Sequence, residues 1–338
     1  MANKTSPPKS HFMKQIKSNL TQVVELLSNS EYVDGTTIGS HLNITRAAVW
    51  KIIKKLEQYS IGIDSQKGLG YKLQAPLTLL DQSKIKKHLK HRNVELEVFE
   101  KTESTNGYLK TKTTQNKKII ACFAEQQTAG KGRLERQWHS PFGHNIYMSL
   151  LYPFNKDISE LSGLSLVVAL AVCEALENII DFGKNKLEIK WPNDILVNGE
   201  KLAGILIELD AESHGYCQAV IGLGINVNMR QAKKKHINQL WTSVSKVTEQ
   251  YTDRNLLGAA LIDSLAKNLD AFAQHGFAYF QKEWKKRDYL YGSNIIVQQH
   301  KNKISGKCQG INNQGHLKLT TNKNEKITLA SGDATLLK

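Results

Sequence analysis

The chain has 338 residues and a mass of 38.0 kDa. It is 40% apolar and 23% charged, which supports a sizeable core, two or three domains, and neither a disordered nor a fibrous chain. Its longest uncharged apolar stretch, Leu161 to Cys173 between Glu160 and Glu174, is too short to span a bilayer and predicts a buried helix. The net charge of +15 is unevenly spread: 14 Lys/Arg against 6 Asp/Glu in residues 1–90, 25 against 23 in 91–288, and 7 against 2 in 289–338. A near-neutral middle with basic ends fits an enzyme domain flanked by modules that meet polyanions, and it also fits a charge that only aids solubility. Met1 to Pro8 is polar, with no apolar signal core, so a cytoplasmic protein that does not touch the membrane is expected. Cys122, Cys173, Cys217 and Cys308 lie far apart without a Cys-x-x-Cys pair, which predicts reduced, buried thiols.

In chain order, Ile16, Leu20, Val23, Val24 and Leu27 recur at helical spacing, and a short second helix is predicted from Thr37 to Leu42 after the Asp34-Gly35 break. A third starts at Thr45 as N-cap, with Val49, Ile52, Ile53 and Leu56 on one apolar face. Its outward face carries Arg46, Trp50, Lys51, Lys54 and Lys55. A cationic helix that follows a short one by the tight turn Asn43-Ile44 is a helix-turn-helix arrangement, with Thr45, Arg46, Trp50, Lys51 and Lys54 as candidate DNA contacts. Ile61 to Asp64 and Gly70 to Leu73 then form a wing, whose Lys67 and Lys72 can reach phosphates. A three-helix module for protein contacts is the alternative. Gln74 to Leu80, with Pro76, is the expected link to the next domain.

From Glu95 onward, strands are predicted at Ile119 to Ala124, Asn145 to Leu151, Leu187 to Lys190, Ile195 to Val197, Leu202 to Leu209 and Ala219 to Val227, and helices at Leu161 to Ile180 and Leu256 to Gln274. Asn198-Gly199 is a hairpin turn signal. Several strands follow one another without room for a crossover helix, so the class is α+β with a mixed or largely antiparallel sheet.

Four segments carry chemistry. Gln126 to Trp138 is a glycine-broken loop with three cations and a tryptophan, able to turn backbone N–H groups and positive side chains onto a phosphate; it also reads as a mobile basic surface loop. It is neither a Walker A loop nor a dinucleotide fingerprint. Lys190-Trp191-Pro192-Asn193-Asp194 offers Asp194 to Mg²⁺ or a ribose and Lys190 to a phosphate, or else forms a strand-end ion pair and a packed Trp-Pro corner. Lys201 opens an otherwise apolar strand, either snorkelling or meeting an anion. Gly222 and Gly224 inside a strand mark a bulge or a close approach to the backbone, with a nucleotide as one visitor.

Taken in order, Ser104-Thr105-Asn106, Gly-Lys-Gly-Arg-x-x-Arg-x-Trp at 130–138, Ser140-Pro141-x-Gly143-x-Asn145, Lys190 to Asp194, Lys201 to Ile205 and Gly222-x-Gly224-Ile225-Asn226 resemble the bacterial bifunctional biotin–protein ligases, the biotin operon repressors. The resemblance runs over essentially the whole chain. It implies a winged helix-turn-helix in residues 1–75, a mixed-sheet ligase domain of the biotin/lipoate ligase type in 80–285 and an SH3-like β-barrel in 289–338. Short β-like runs at Asn294 to Gln298, Lys303 to Gln309, His316 to Thr320 and Lys326 to Ala330 fit that barrel, with Gly306, Gly310, Gly315 and Gly332 at turns and bulges.

The resemblance further implies that biotin and MgATP give biotinyl-5′-AMP and pyrophosphate, and that a lysine of the biotin carboxyl carrier protein then takes the biotinyl group. The adenylate is also corepressor, favouring a homodimer on biotin operator DNA. Ser104, Thr105, Asn106 and Gln127 would hold the biotin ring, and Lys131, Gly132, Arg133 and Lys201 the carboxylate end. Arg136, Trp138, Asn193 and Asn226 would serve the nucleotide, and Asp194 the Mg²⁺. Arg133, Lys201 and Lys190 would be catalytic. The family usually has Arg at Lys131, and lysine keeps the charge but loses the planar fork. Two other readings compete: a ligand-sensing transcription factor without catalysis, and a ligase for lipoate or another acyl chain.

Overall fold

A computed structural model describes residues 18–28, 31–91, 93–114, 118–212, 215–232, 237–299 and 302–337. Ile16 and Met1 to Pro8 lie outside them. Two compact units divide the chain, 1–77 and 78–338.

In the first unit, α1 (Asn19–Ser28), α2 (Gly35–Leu42) and α3 (Arg46–Gln58) precede the hairpin of β1 (Ile63–Gln66) and β2 (Gly70–Leu73). Leu20, Val23, Val24, Leu27, Ile38, Val49, Ile53 and Leu56 form the core, and Ile52 is half-buried. The Asp34-Gly35 break is a helix start: Asp34 caps α2 by accepting from the N–H groups of Thr36 and Thr37. The α2–α3 turn is tight because Asn43 is left-handed (φ 53°) and Gly39 leaves room for Ile44, whose carbonyl oxygen stands 2.7 Å from where a Cβ would be. Thr45 caps α3 through Ala48 N–H at 3.2 Å. Arg46, Trp50, Lys51, Lys54 and Lys55 all face solvent, with Trp50 52% exposed and the Lys54 ammonium 5.9 Å from its ring centroid.

The second unit runs α4 (Gln82–His88), β3 (Val94–Phe99), α5 (Thr105–Leu109), β4 (Ile119–Ala124), β5 (Ile146–Phe154), α6 (Leu164–Ile179), β6 (Leu187–Lys190), β7 (Asp194–Val197), β8 (Glu200–Glu212), β9 (Tyr216–Ile225), α7 (Val244–Thr248), α8 (Arg254–His275) and α9 (Gln281–Lys285). Its seven-stranded sheet has the order β3-β4-β5-β9-β8-β7-β6. Only β3–β4 is parallel, so the mixed, largely antiparallel expectation holds. The turn at Asn198-Gly199 has φ of 52° and 76°, as its sequence requires. One face of the sheet packs on α6 and α8. From Leu166 to Cys173 α6 is apolar on every side and buried, as the uncharged run from Leu161 predicted, and Glu174 and Glu177 face outward only in its last turns.

β10 (Asn294–Gln299), β11 (Asn302–Ile311), β12 (Leu317–Thr321), β13 (Lys326–Leu329) and β14 (Asp333–Leu336) make an antiparallel five-stranded sheet in the order β13-β12-β11-β10-β14. Gly310 (φ 77°) sits at the bulge of β11, between Cys308 and Ile311. All four cysteines are free and buried.

A buried ion pair fixes the entrance to this unit. Arg254, the first residue of α8, meets Glu125 at 2.6 Å and 3.2 Å, both side chains being within 3% of full burial. The guanidinium also donates to the carbonyls of Asn145 (3.1 Å) and Thr78 (2.9 Å), and Glu125 accepts from Leu80 N–H. Asn255 adds bonds to Asp81 N–H at 2.8 Å and to the Leu79 carbonyl at 3.1 Å. Residues 78–81 are thereby held by side chains more than forty positions away.

Candidate active site

The sheet face opposite α6 and α8 carries the site, and strand register explains its shape. Tyr147, Gly224, Gly204 and Asp194 lie in one cross-strand row, and Ser149, Gly222 and Leu206 in the next. Three glycines on neighbouring strands make a floor without side chains. A Cβ on Gly222 would stand 2.2 Å from Asn106 Oδ1, and one on Gly224 2.3 Å from Trp138 Cε2. The β8–β9 register runs through both positions without a shift, so they are sites of close approach and not bulges. The protein side chains that approach them most closely are the chain's own, Asn106 and Trp138, and both glycines also line the cavity above the sheet.

Above the floor is a cavity of about 640 Å³ lined by Ser104, Thr105, Asn106, Gln127, Lys131, Gly132, Arg133, Arg136, Trp138, Asn193, Asp194, Lys201 and Asn226, among others. Lys190 is the one expected ligase residue outside that lining. Its ammonium stands 3.9 Å from Asp194, the strand-end pair that the sequence also allowed.

One end of the cavity is a polar cluster. Ser104 caps α5 through Gly107 N–H, placing Thr105 and Asn106 over the sheet, and Gln127 Oε1 accepts from Thr105 N–H at 2.9 Å. The other end is cationic. The loop from Gly130 closes on itself through Gly132 N–H to Arg136 O (2.7 Å) and Trp138 N–H to Gly130 O (2.8 Å), with Leu134 and Glu135 left-handed at its tip. Arg133 reaches Asn193 Oδ1 (3.2 Å) and Gly332 O (3.0 Å), and Arg136 pairs with Asp333 at 2.6 Å. Burial lowers the Arg133 guanidinium pKa against the opposing pull of Asp333 and Asp194. Lys201 pairs with Asp194 at 2.8 Å, its ammonium 5.4 Å from the Trp138 ring centroid.

Two expected nucleotide residues are also tied to backbone. Asn193 Nδ2 donates to Ile205 O at 2.8 Å, and Asn226 Nδ2 to Thr242 O at 3.0 Å. Trp191 packs fully buried, its indole N–H on Gly315 O, while Trp138 Nε1 is buried without a partner. Among the described residues no group of three His, Cys, Asp or Glu is placed to hold a metal ion. One carboxylate already paired with a lysine does not make a protein-built Mg²⁺ site, which needs near-octahedral oxygen ligands. Asp194 can serve a cation only as one ligand among substrate oxygens.

Residues 98–226 match the Biotin/lipoate A/B protein ligase family and residues 19–72 an HTH domain. The chain is 36% identical to the bifunctional ligase/repressor BirA of Salmonella typhimurium, over 91% of this chain and 94% of that protein. The Bacillus subtilis BirA is 30% identical over 90% and 94%. The chain belongs to the bifunctional ligase/repressor family. Among solved structures, the biotin protein ligase from Aquifex aeolicus in complex with biotin and ATP superposes with a TM-score of 0.61 at 28% identity, covering 72% of this chain and 99% of that one. The family assignment bears out the expected N-terminal helix-turn-helix and ligase-type mixed sheet, and where the resemblance implied an SH3-like barrel the C-terminal strands form an antiparallel five-stranded sheet.

Sequence reasoning missed Ser149, Asp333 and the segment Ile237 to Trp241 as parts or supports of the site. Ser149 had a signal, a single serine among the apolar and aromatic residues of the strand Ile146–Phe154. Asp333 had none, since its partner Arg136 is 197 positions away. The glycine floor gives a direct test. Gly224→Ala is expected to lift the indole of Trp138 at a cost of about 1–3 kcal/mol. Gly204→Ala should cost less, because its nearest contacts are 2.9 Å from the ring and 3.2 Å from the flexible end of Lys201. Urea unfolding of the two variants checks the order.

Proposed function

We propose that this protein is an ATP-dependent biotin–protein ligase that also represses transcription of a biotin operon, with biotinyl-5′-AMP as product of the first step and corepressor. The observation that carries the reading is the convergence of thirteen motif residues from five separated segments on one cavity, polar at one end and cationic at the other. Its volume suits a small-molecule site.

The chemistry asks for placement of charge more than for a nucleophilic side chain. A biotin carboxylate oxygen attacks the α-phosphorus of MgATP, the acyl–phosphate bond forms, and pyrophosphate leaves. Arg133 and Lys131 face the carboxylate and phosphoryl oxygens, and Lys201 moves from Asp194 to the developing anion. Asp194, once released by Lys201, is the residue that would hold a Mg²⁺ ion on the triphosphate, where the ion would neutralise phosphate charge. The neutral amine of a carrier-protein lysine then attacks the acyl carbon and AMP departs. Trp138 lines the nucleotide side, and Asn193 and Asn226 hold the walls in place. Lys190 acts through Asp194 and does not contact substrate.

The DNA-binding face is Arg46, Trp50, Lys51 and Lys54, with Thr45 as the cap that sets the helix start. Adenylate binding favours a homodimer that presents two such helices to operator half-sites. The basic first ninety residues support this. Reduced thiols favour a cytoplasmic setting.

The test is incubation with biotin, ATP, Mg²⁺ and apo carrier protein, followed by mass analysis. A carrier heavier by one biotinyl group is the expected result, together with biotin-dependent pyrophosphate release. Binding of biotin without either product would favour a sensor that does not catalyse, and lipoyl transfer in its place would favour the other acyl ligase.

A further inference from the structure

The polar end of the cavity has a direction that follows from counting protons. Asn106 Nδ2 faces two oxygens that only accept, Glu208 Oε2 at 2.9 Å and Leu206 O at 3.3 Å. Burial would raise the Glu208 carboxyl, but hydrogen bonds from Lys110 and Asn106 outweigh it and hold it below the ordinary carboxylate range. The amide of Asn106 therefore turns its NH₂ to Glu208 and its Oδ1 to Ser149 Oγ, 2.6 Å away. An amide oxygen cannot donate, so the single Ser149 proton is committed there. The short Ser149–Thr105 contact, 2.7 Å between hydroxyl oxygens, must then use the Thr105 proton. Thr105 Oγ1 has no proton left for Gln127 Oε1, 3.1 Å off, which receives Thr105 N–H. Gln127 Nε2 points the other way, to Ser140 Oγ at 3.4 Å, and Ser140 donates to Trp138 O.

We propose that Glu208, acting through Asn106 and Ser149, fixes this relay so that Thr105 Oγ1 and Gln127 Oε1 present acceptors to the cavity, complementary to the two N–H donors of a cyclic urea. Glu208 and Ser149 are positioning residues. Glu208 is not part of the cavity lining, and Ser149 lies fully buried beneath it. The inference rests on the ligase reading with biotin as substrate, and it goes beyond that reading in naming what sets the polarity of the ring subsite. Reversal of the relay would place donors against donors, which is more costly than losing one bond.

The experiment uses the full chain and follows pyrophosphate release with biotin varied at saturating MgATP, then MgATP varied at saturating biotin. Glu208→Gln lets the Asn106 amide turn over, so the KM for biotin should rise about tenfold or more while that for ATP stays within about twofold. Discrimination against a biotin analogue methylated on a ring nitrogen should shrink in the same variant. Glu208→Asp, which still only accepts, should recover most of the loss. Lys110→Ala removes only the exposed partner of Glu208 at 2.9 Å and should leave the biotin KM in place. Should Glu208→Gln fail to fold, Ser149→Ala carries the same expectation. A biotin KM within twofold of the parent, or biotin and ATP constants rising together, would overturn the relay. A parent protein that releases no pyrophosphate with biotin would instead overturn the ligase reading, and the relay with it.

Discussion

Arg133→Ala should release the acyl-adenylate about ten- to a hundredfold faster than the parent, because a charge-assisted contact contributes about 1.5–3 kcal/mol. Arg133 does two things at once. Its half-buried guanidinium supplies positive charge to the cavity, and it ties the Gly130-to-Trp138 loop to Asn193 Oδ1 and Gly332 O. Arg133→Lys keeps the charge and loses the fork, so an intermediate lifetime is expected. Arg136→Ala is the instructive contrast. Its pair with Asp333 has good geometry, but the Arg136 side chain is 64% exposed, and exposed pairs contribute only about 0–1 kcal/mol. Its effect should be the smaller of the two. Chasing labelled adenylate with excess cold biotin and ATP measures all three lifetimes, and an unchanged lifetime for Arg133→Ala would reject its role.

The largest loss of stability is expected at the Glu125–Arg254 pair. Arg254→Met keeps the bulk but strands a carboxylate in the core and leaves the carbonyls of Thr78 and Asn145 without that donor. Removing one partner of a buried pair costs about 3–5 kcal/mol. A double Glu125→Leu, Arg254→Met variant should cost less than the two single changes added together, since no unpaired charge remains. The Leu80 N–H would still lose its acceptor, so full recovery is not expected. Urea unfolding monitored on the larger unit decides it, and a loss under about 1 kcal/mol for Arg254→Met would show that the buried charge is compensated in another way.

Local rules made much of this molecule legible. Thr45 as a cap, the apolar stripe of α3, the Asn198-Gly199 turn and the cores of six central strands each depend on residues a few positions apart. The short helices α4 and α5, of seven and five residues, were not foreseen, because such lengths show no apolar periodicity and are held by tertiary contacts. β3, parallel to β4, and β14, closing against β10, were likewise not delimited. The site was legible as a set of motifs and not as an arrangement. Nothing in the spelling of Gly222 and Gly224 separates a bulge from a close approach; the register and the positions of Asn106 and Trp138 do. Nor does it tell that Lys190 stands behind Asp194, or that Ser149 and Glu208 support Asn106.

The glycine floor restricts how this sheet can diverge. On one side Gly204, Gly222 and Gly224 admit no added carbon without displacing a side chain of the site, and on the other Ala203, Ile205, Ile221, Leu223 and Ile225 are locked into the packing with α6 and α8. A strand usually has one forgiving face on which neutral drift accumulates. Here β8 and β9 have almost none along that segment, so substitutions there are expected to cost more than at the hairpin tips or on the outward faces of the helices.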